Sequence, residues 1–424
     1  MSTSDTAIVA ALIFGWATLS ARLERFDVTA PITFVLAGLV LTHGVLAPLG
    51  FAPSREVVKV LAEATLVLVL FADASRVGPQ DLRADTGLYV RLLGVGLPLT
   101  IGLGTLLALA LVKGLSVWLA LLVGAALAPT DAALGAGMMV NPALPARIRR
   151  LVNVESGLND GIATPFVLVA LAGAQSGGSA GVGPGEAVAE LALGVIIGVA
   201  VGGAGGYLVK TASARGWVAG SFAGSAVLAL AVCAYASAVS LHGNGFIAAF
   251  TGGLTYGAIG GRRGERLVPF VEETSALVSL LVWLAFGAIA VVPAFDSLTW
   301  SDGLYAVLSL TLIRMVPVAL ALAGARLGRT AVAFVGWFGP RGLASVVFAL
   351  LALEDVGRPA NPAVTVITFT VLLSVVAHGV TADPLARRCG PAITRALAAA
   401  GERDTPPAPP APPLPERRLI RRAA

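Results

Sequence analysis

The sequence predicts an all-α polytopic membrane protein, and three observations carry that prediction. The 424-residue chain is 57% apolar and only 12% charged, with a mean hydropathy of +0.87; a soluble globular chain is about a quarter charged. Its apolar residues fall in runs of about 20, the length that crosses a bilayer as a helix. Its cations are sorted from loop to loop, so the net charge of +5 belongs to a membrane-side bias and gives no reason to expect a nucleic acid as partner.

Taken in order, the runs predict thirteen spans, at 6–21, 30–51, 56–75, 91–112, 116–138, 151–173, 187–209, 217–240, 244–260, 273–294, 303–324, 330–353 and 362–382. The 50 glycines concentrate in these runs, where small residues let helices approach closely in lipid. The N-terminus has no basic n-region, so the first run is expected to stay as a span. Cys233 and Cys389 offer no metal-ligand spacing or disulfide framework, and His43, His242 and His378 lie far apart; no cofactor is expected. Of the 29 basic residues, 23 fall after odd-numbered spans or in the tail and four after even-numbered ones, leaving Arg314 and Arg341 inside spans. The positive-inside bias then predicts an outer N-terminus and a cytoplasmic C-terminus, in a multi-pass membrane protein of a bacterial inner membrane. Residues 1–400 form the membrane domain; 401–424, Pro-rich and basic, read as a disordered cytoplasmic tail, and no separate soluble domain is expected after the spans.

Glu63, Asp73, Asp131, Glu155, Asp160, Arg314 and Arg341 lie within predicted spans. A charge near the bilayer centre costs about 2.5–3.5 kcal/mol on insertion scales, and such groups pair with each other or mark ion and proton routes. Five acids against two arginines leave three without a cation, and an unpaired buried acid holds either a proton or a metal ion. In LVNVESGLNDGIATPFVLVALA, residues 151–172, Glu155 stacks with Asn159 and Ser156 with Asp160 at i, i+4. The pair of adjacent polar residues Asn159 and Asp160 then presents an oxygen-rich wedge of the kind a hard cation prefers. Pro129 is expected to interrupt span 5 beside Thr130 and Asp131, and Gly339-Pro340-Arg341-Gly342 to interrupt span 12. The two breaks are seven spans apart, an odd shift, so spans 1–6 and 8–13 are expected to be inverted repeats whose discontinuous helices cross at the midplane. Arg341 would offset the surplus negative helix ends there and clamp Glu155. Glu63 reads as a helix-packing or interface acid, Asp73 as a residue near the end of its span, and His378 as a packing histidine.

The segments APTDAALG, ESGLNDG with its following apolar run, and GWFGPRGLASVVF resemble the signature segments of the NhaP-type sodium/proton antiporters, the branch of cation:proton antiporters that includes the sodium/proton exchangers. The resemblance runs in order through nearly all thirteen spans and includes LFADASRV and LIRMVPVAL. It implies that Asp160 takes either the cation or protons, that Asn159 orients the site, and that Thr130 and Asp131 complete it. Ser156 and Asp73 would add oxygens or line the route, with Asp160, Thr130 and Ser156 as cation ligands. Glu155 with Arg341, joined by Arg314, would be a structural ion pair. It also implies a six-helix core bundle, spans 4–6 and 11–13, and a homodimer formed through spans 1–3 and 7–10. Large C-terminal regulatory domains occur in the family; this sequence carries none, so regulation of that type is not expected.

The expected activity is secondary antiport of Na+ or Li+ for H+, without ATP and without enzyme chemistry, the partners being membrane lipid, monovalent cations and protons. One competing carboxylate exchanges one charge for one charge, which is electroneutral, and relatives with Asn-Asp in place of two aspartates are generally so. K+/H+ exchange is the near alternative, since residue types do not separate Na+ from K+. A sodium-coupled symporter would need a larger polar or aromatic pocket beside the ion site, and none is visible in the sequence. An intramembrane aspartyl protease using Asp131 and Asp160 lacks the expected flanking residues, and a passive channel is disfavoured by an acid at a closed midpoint.

Overall fold

The structure is a computed structural model that describes residues 3–23, 28–47, 50–51, 53–78, 82–83, 85–131, 134, 141, 143–175 and 184–399. The expected tail, 401–424, and most of the second half of span 5 lie outside the described residues. Among the described residues all regular structure is helical. The helices are α1 (Thr3–Leu23), α2 (Ala30–His43), α3 (Arg55–Arg76), α4 (Thr86–Leu111), α5 (Val117–Ala126), α6 (Ala146–Gln175), α7 (Pro184–Ala214) and α8 (Gly220–Ser240). They continue as α9 (Gly245–Glu265), α10 (Val268–Ile289), α11 (Val291–Ser297), α12 (Trp300–Leu310), α13 (Leu312–Ala321), α14 (Arg329–Trp337), α15 (Leu343–Asp355) and α16 (Asn361–Ala399).

Among the described residues, eight stretches are long and apolar enough to cross a membrane: those in α1, α4, α6, α7, α8, α10 with α11, α12 with α13, and α16. The protein is a multi-pass membrane protein. Leu106, Ile196, Val380 and Phe222 point outward, largely exposed, as side chains facing hydrocarbon do. Local chemistry sets several helix starts. Ser116 accepts from Leu119 N at 3.2 Å, Asn244 from Ile247 N at 3.0 Å, and Thr299 with Asp302 forms a reciprocal capping box. The turn between α8 and α9, LHGN in the sequence, separates two distinct helices, with His242 in the left-handed region at φ 60°.

Close approach of backbones accounts for several of the glycines. Gly194, Gly198 and Gly202 form one face of α7, and a Cβ on any of them would strike the backbone of α9 at Asn244, Ala248 or Gly252. Gly38 of α2 and Gly287 of α10 meet each other's helix backbones in the same way. The helices pack as two groups. One contains α2, α3, α7, α8, α9 and α10, with α7 along α9, α9 along α3 and α10 along α2. The other contains α4, α5, α6 and α12–α16, with α4 along α5, α5 along α6 and α12 along α16. The groups meet where α3 touches α6 and α15, where α10 touches α15 and where α9 touches α6.

Two departures from the sequence expectation stand out. The last helix runs on to Ala399, beyond the expected end at 382, with Pro384 and Pro391 inside it. It is held by tertiary packing: Gly390 lies against the Ala143 carbonyl, Asn141 donates to Asp383 at 2.6 Å, and Ile393 and Leu397 are buried. The expected span 11 is bent, because Thr311 between α12 and α13 has φ −113° and ψ −91°.

Candidate functional site

The site is built where two interrupted helices cross beside α6. α5 stops at Ala126, and residues 127–131 continue without helical structure. The Ala126 carbonyl, orphaned at the helix end, accepts from Ser345 Oγ at 2.6 Å. Opposite, α14 ends at Trp337 and α15 begins at Leu343, with Phe338–Gly342 non-helical between them. The non-helical segments bind each other. Asp131 N donates to Pro340 O at 2.8 Å, and Leu343 N donates to Asp131 Oδ2 at 3.2 Å.

Gly339 and Gly342 are the residues that permit this contact. A Cβ at Gly339 would press on the Arg314 guanidinium and the Thr130 methyl, and one at Gly342 would overlap the Asp131 side chain. Arg341, fully buried, places Nη1 on the Ala128 and Pro129 carbonyls at 3.2 and 3.3 Å and Nη2 on the Ser309 carbonyl at 3.2 Å. One guanidinium thus satisfies backbone acceptors freed by the break after α5 and by the irregular turn at Thr311.

This corrects the expected ion pair. Glu155 does not pair with Arg341: its carboxylate receives Arg314 Nη1 at 2.9 Å and Nη2 at 2.8 Å, a bidentate pair with both residues buried. Arg341 is drawn away because three carbonyls without helical partners lie within its reach, whereas Arg314 projects from α13 directly at α6.

The remaining polar residues of α6 interlock with residue 130. Asn159 Nδ2 donates to Thr130 Oγ1 at 2.8 Å and to Glu155 Oε1 at 3.3 Å, and its Oδ1 accepts from Thr130 N at 3.3 Å. Ser156 Oγ donates to the Thr130 carbonyl at 2.5 Å. Asp160 differs from them all. It is 6% exposed, its Oδ1 is buried, and that oxygen has no hydrogen-bond partner among the described residues. The carboxyl groups of Asp73, Asp131 and Glu155 lie close enough to act on it electrostatically. Asp73 comes from α3, half-buried, beside Gly157 of α6.

Thr130, Asp131, Glu155, Ser156, Asn159, Asp160, Arg314 and Arg341 are therefore brought to one place, with Asp73 at its edge. Glu63 sits elsewhere, accepting from the Tyr235 hydroxyl at 3.2 Å. Sequence reasoning missed Ser345, the Ser309 carbonyl and Ser374, whose Oγ accepts from Arg341 N at 2.7 Å. A serine within an apolar run was the available signal in each case.

Comparison with known proteins gives one consistent result. The family model described as "Sodium/hydrogen exchanger, transmembrane" matches residues 8–388. Uncharacterized Na+/H+ exchangers of Mycobacterium bovis and Mycobacterium tuberculosis are 29% identical over 182 residues, 42% of this chain and 30% of theirs; the match spans less than a third of those relatives. The sodium proton antiporter MjNhaP1 of Methanocaldococcus jannaschii at pH 8 superposes with a TM-score of 0.72 at 20% identity, covering 91% of this chain and 98% of that one. An electron-microscopy structure of the same antiporter gives 0.71 at 19% identity, over 92% and 98%. With two interrupted helices crossing beside a buried aspartate, and with the family model matching nearly from end to end, this chain belongs to the transmembrane sodium/hydrogen exchanger family.

Proposed function

We propose that this chain exchanges a monovalent cation, Na+ or Li+, for H+ across the membrane, and that the two compete for Asp160. The observation that carries this reading is the contrast on α6: Glu155, Ser156 and Asn159 are all hydrogen-bonded to protein, and the neighbouring Asp160 keeps a buried oxygen without a hydrogen-bond partner among the described residues. A carboxylate taken out of water without donors is left with two stable conditions, protonated or bound to a cation. Thr130 and Ser156 add oxygens to the cation's shell, Asn159 fixes Thr130, and Asp131 and Asp73 flank the route. Glu155 with Arg314, and Arg341 with its carbonyls, hold the surroundings rigid.

Only the neutralised site crosses the membrane, because a bare carboxylate would carry its charge through low dielectric. One cation for one proton makes the cycle electroneutral. The group containing α4–α6 and α12–α16 is the moving bundle, and the group containing α2, α3 and α7–α10 is the scaffold, through which two copies of the chain would pair. Thirteen spans in two inverted repeats, with an outer N-terminus and a cytoplasmic C-terminus in a bacterial inner membrane, complete the reading. It is supported by the charge distribution of the sequence and by the family.

The test uses purified protein in sealed vesicles with a pH dye inside, pulsed with Na+, Li+ or K+. Na+ and Li+ should each release internal protons, at rates unchanged when the membrane potential is clamped, and Asp160→Asn should be silent. K+ alone driving exchange would move the assignment to K+/H+ antiport. Cation-driven proton release by Asp160→Asn would remove the role given to that residue.

A further inference from the structure

The interruption after α14 leaves two backbone groups facing α16, and α16 answers both with side chains that the exchange reading does not use. Ser374, His378 and Thr381 lie at i, i+4 and i+7, one face of the helix. Ser374 and His378 are buried, at 0% and 1% exposure. On one side of the break, Arg341 N donates to Ser374 Oγ at 2.7 Å. On the other, His378 Nε2 lies 2.9 Å from the Trp337 carbonyl, the end of α14. Between them Ser374 Oγ and His378 Nδ1 are 3.1 Å apart. The Trp337 indole adds two contacts, stacking on the imidazole with centroids 5.3 Å apart and donating to Thr381 Oγ1 at 3.2 Å.

The donor and acceptor inventory orients this chain. Trp337 O only accepts, so Nε2 carries a hydrogen. Ser374 Oγ has accepted the Arg341 amide, so its own proton is available for Nδ1. With Nδ1 unprotonated, the Nε2–H imidazole gives a continuous relay: Arg341 N–H to Ser374 Oγ, Ser374 O–H to His378 Nδ1, Nε2–H to Trp337 O. The Ser374 carbonyl, 2.9 Å from Nδ1, would need Nδ1 to carry a hydrogen as well, and that would take the acceptor from the serine hydroxyl.

We infer that Ser374 and His378 are positioning residues that hold the two ends of the α14–α15 interruption at a fixed separation, and so set the geometry of the cation site. The inference rests on the exchange reading above. The stretch they span contains Pro340, whose carbonyl holds Asp131 N, and Arg341, whose guanidinium holds Ala128 and Pro129 beside Thr130. A cation needs several oxygens placed at once, whereas a proton needs one. Loosening the clamp should weaken cation binding and leave proton binding at Asp160 intact.

The experiment measures exchange against cation concentration in vesicles for wild type, His378→Ala, His378→Gln, Ser374→Ala and the double alanine variant. His378→Ala and Ser374→Ala should each raise the apparent KM for the cation about five- to tenfold, the size of one lost buried hydrogen bond, with Vmax within about twofold. The double variant should be no worse than the worse single one, because the relay acts as a unit. His378→Gln, which keeps a donor for Trp337 O, should return KM to within about twofold of wild type. Unchanged KM in both alanine variants, or loss of Vmax at constant KM, would overturn the inference. Solid-state NMR of labelled histidine in a His43→Gln, His242→Gln background reads the tautomer of His378 directly, whether or not the alanine variants insert and whether or not the protein exchanges Na+. A neutral Nε2–H ring supports the clamp and an Nδ1–H ring refutes it. Absence of exchange in wild type with a neutral Nε2–H ring would fault the exchange reading and leave the clamp standing.

Discussion

Glu155 and Asp160 lie five residues apart on one helix, and their neighbours give them opposite tasks. Glu155 meets a bidentate guanidinium and an amide; removing one partner from such a buried pair costs about 3–5 kcal/mol, which makes it part of the framework. Asp160 keeps a buried oxygen without a hydrogen-bond partner among the described residues, which leaves it available to a cation or a proton. Residue types alone could not assign the arginines, because both lie in spans and both can reach α6. The outcome depends on which carbonyls each break sets free. The same crossing makes a sharp demand at Gly342, where any Cβ would overlap the Asp131 side chain. Gly342→Ala should therefore push Asp131 out of its contacts with Leu343 N and Pro340 O. Overpacking of this kind costs about 1–3 kcal/mol, so the protein should still insert and melt cooperatively. Exchange should fall by about tenfold or more, since small displacements of a site are expensive in rate. Vesicle exchange measured beside a thermal melt checks both halves, and wild-type exchange would mean that Asp131 does not need this contact.

At the scale of elements, the arginine-rich end of α6 is tied to the start of α4 by Asp85. Its Oδ1 accepts from Arg147 Nε at 2.9 Å and Nη2 at 2.6 Å, and its Oδ2 from Arg150 Nη2 at 3.2 Å. Burial pushes the Asp85 carboxyl up, and the two guanidiniums outweigh it, holding the group below the ordinary carboxylate range. A lowered carboxylate contributes stability that is fully present above the unfolded value, about 3.9, and is lost as pH falls through the lower folded value. Asp85→Asn should therefore melt at a lower temperature than wild type from pH 5 to 8, by a constant margin, and the margin should close as pH drops below about 4. A margin that stays open in acid would show that the ion pairs are not its source. The sequence revealed these elements unevenly. Pro129 and the Gly339–Gly342 run announced both interruptions, because proline and glycine act on their own backbone. The bend at Thr311 has no local signal, and the continuation of α16 past Pro384 was hidden because burial against Ala143 and Asn141 overrides a local helix breaker. Ser374 and His378 were visible as two polar residues four apart in an apolar run, but their partners are non-local.

For the whole molecule, the proposed exchange requires the two helix groups to move past each other, and the contacts between them are suited to that. α6 presents Gly157 to the Asp73 backbone of α3 and Gly161 to the Phe250 ring of α9, a smooth seam of the kind that slides. A polar link among the described residues crosses between the groups: Lys59 of α3 donates to Asp355 of α15 at 2.7 Å, with both partly exposed. A second ion pair on the same helix, Arg76 with Glu272 of α10, stays within one group. If the groups move, tying the first pair should stop transport and tying the second should not. With Cys233 and Cys389, both free, changed to serine, Lys59→Cys with Asp355→Cys can be joined by a short cleavable bis-thiol linker, and Arg76→Cys with Glu272→Cys likewise. Linked 59–355 protein should lose cation-driven proton release and regain it when the linker is cut. Linked 76–272 protein should exchange at the unlinked rate. Full exchange by protein verified as linked at 59 and 355 would mean that the two helix groups do not need to separate at that end, and rigid-body alternation between them would have to be abandoned.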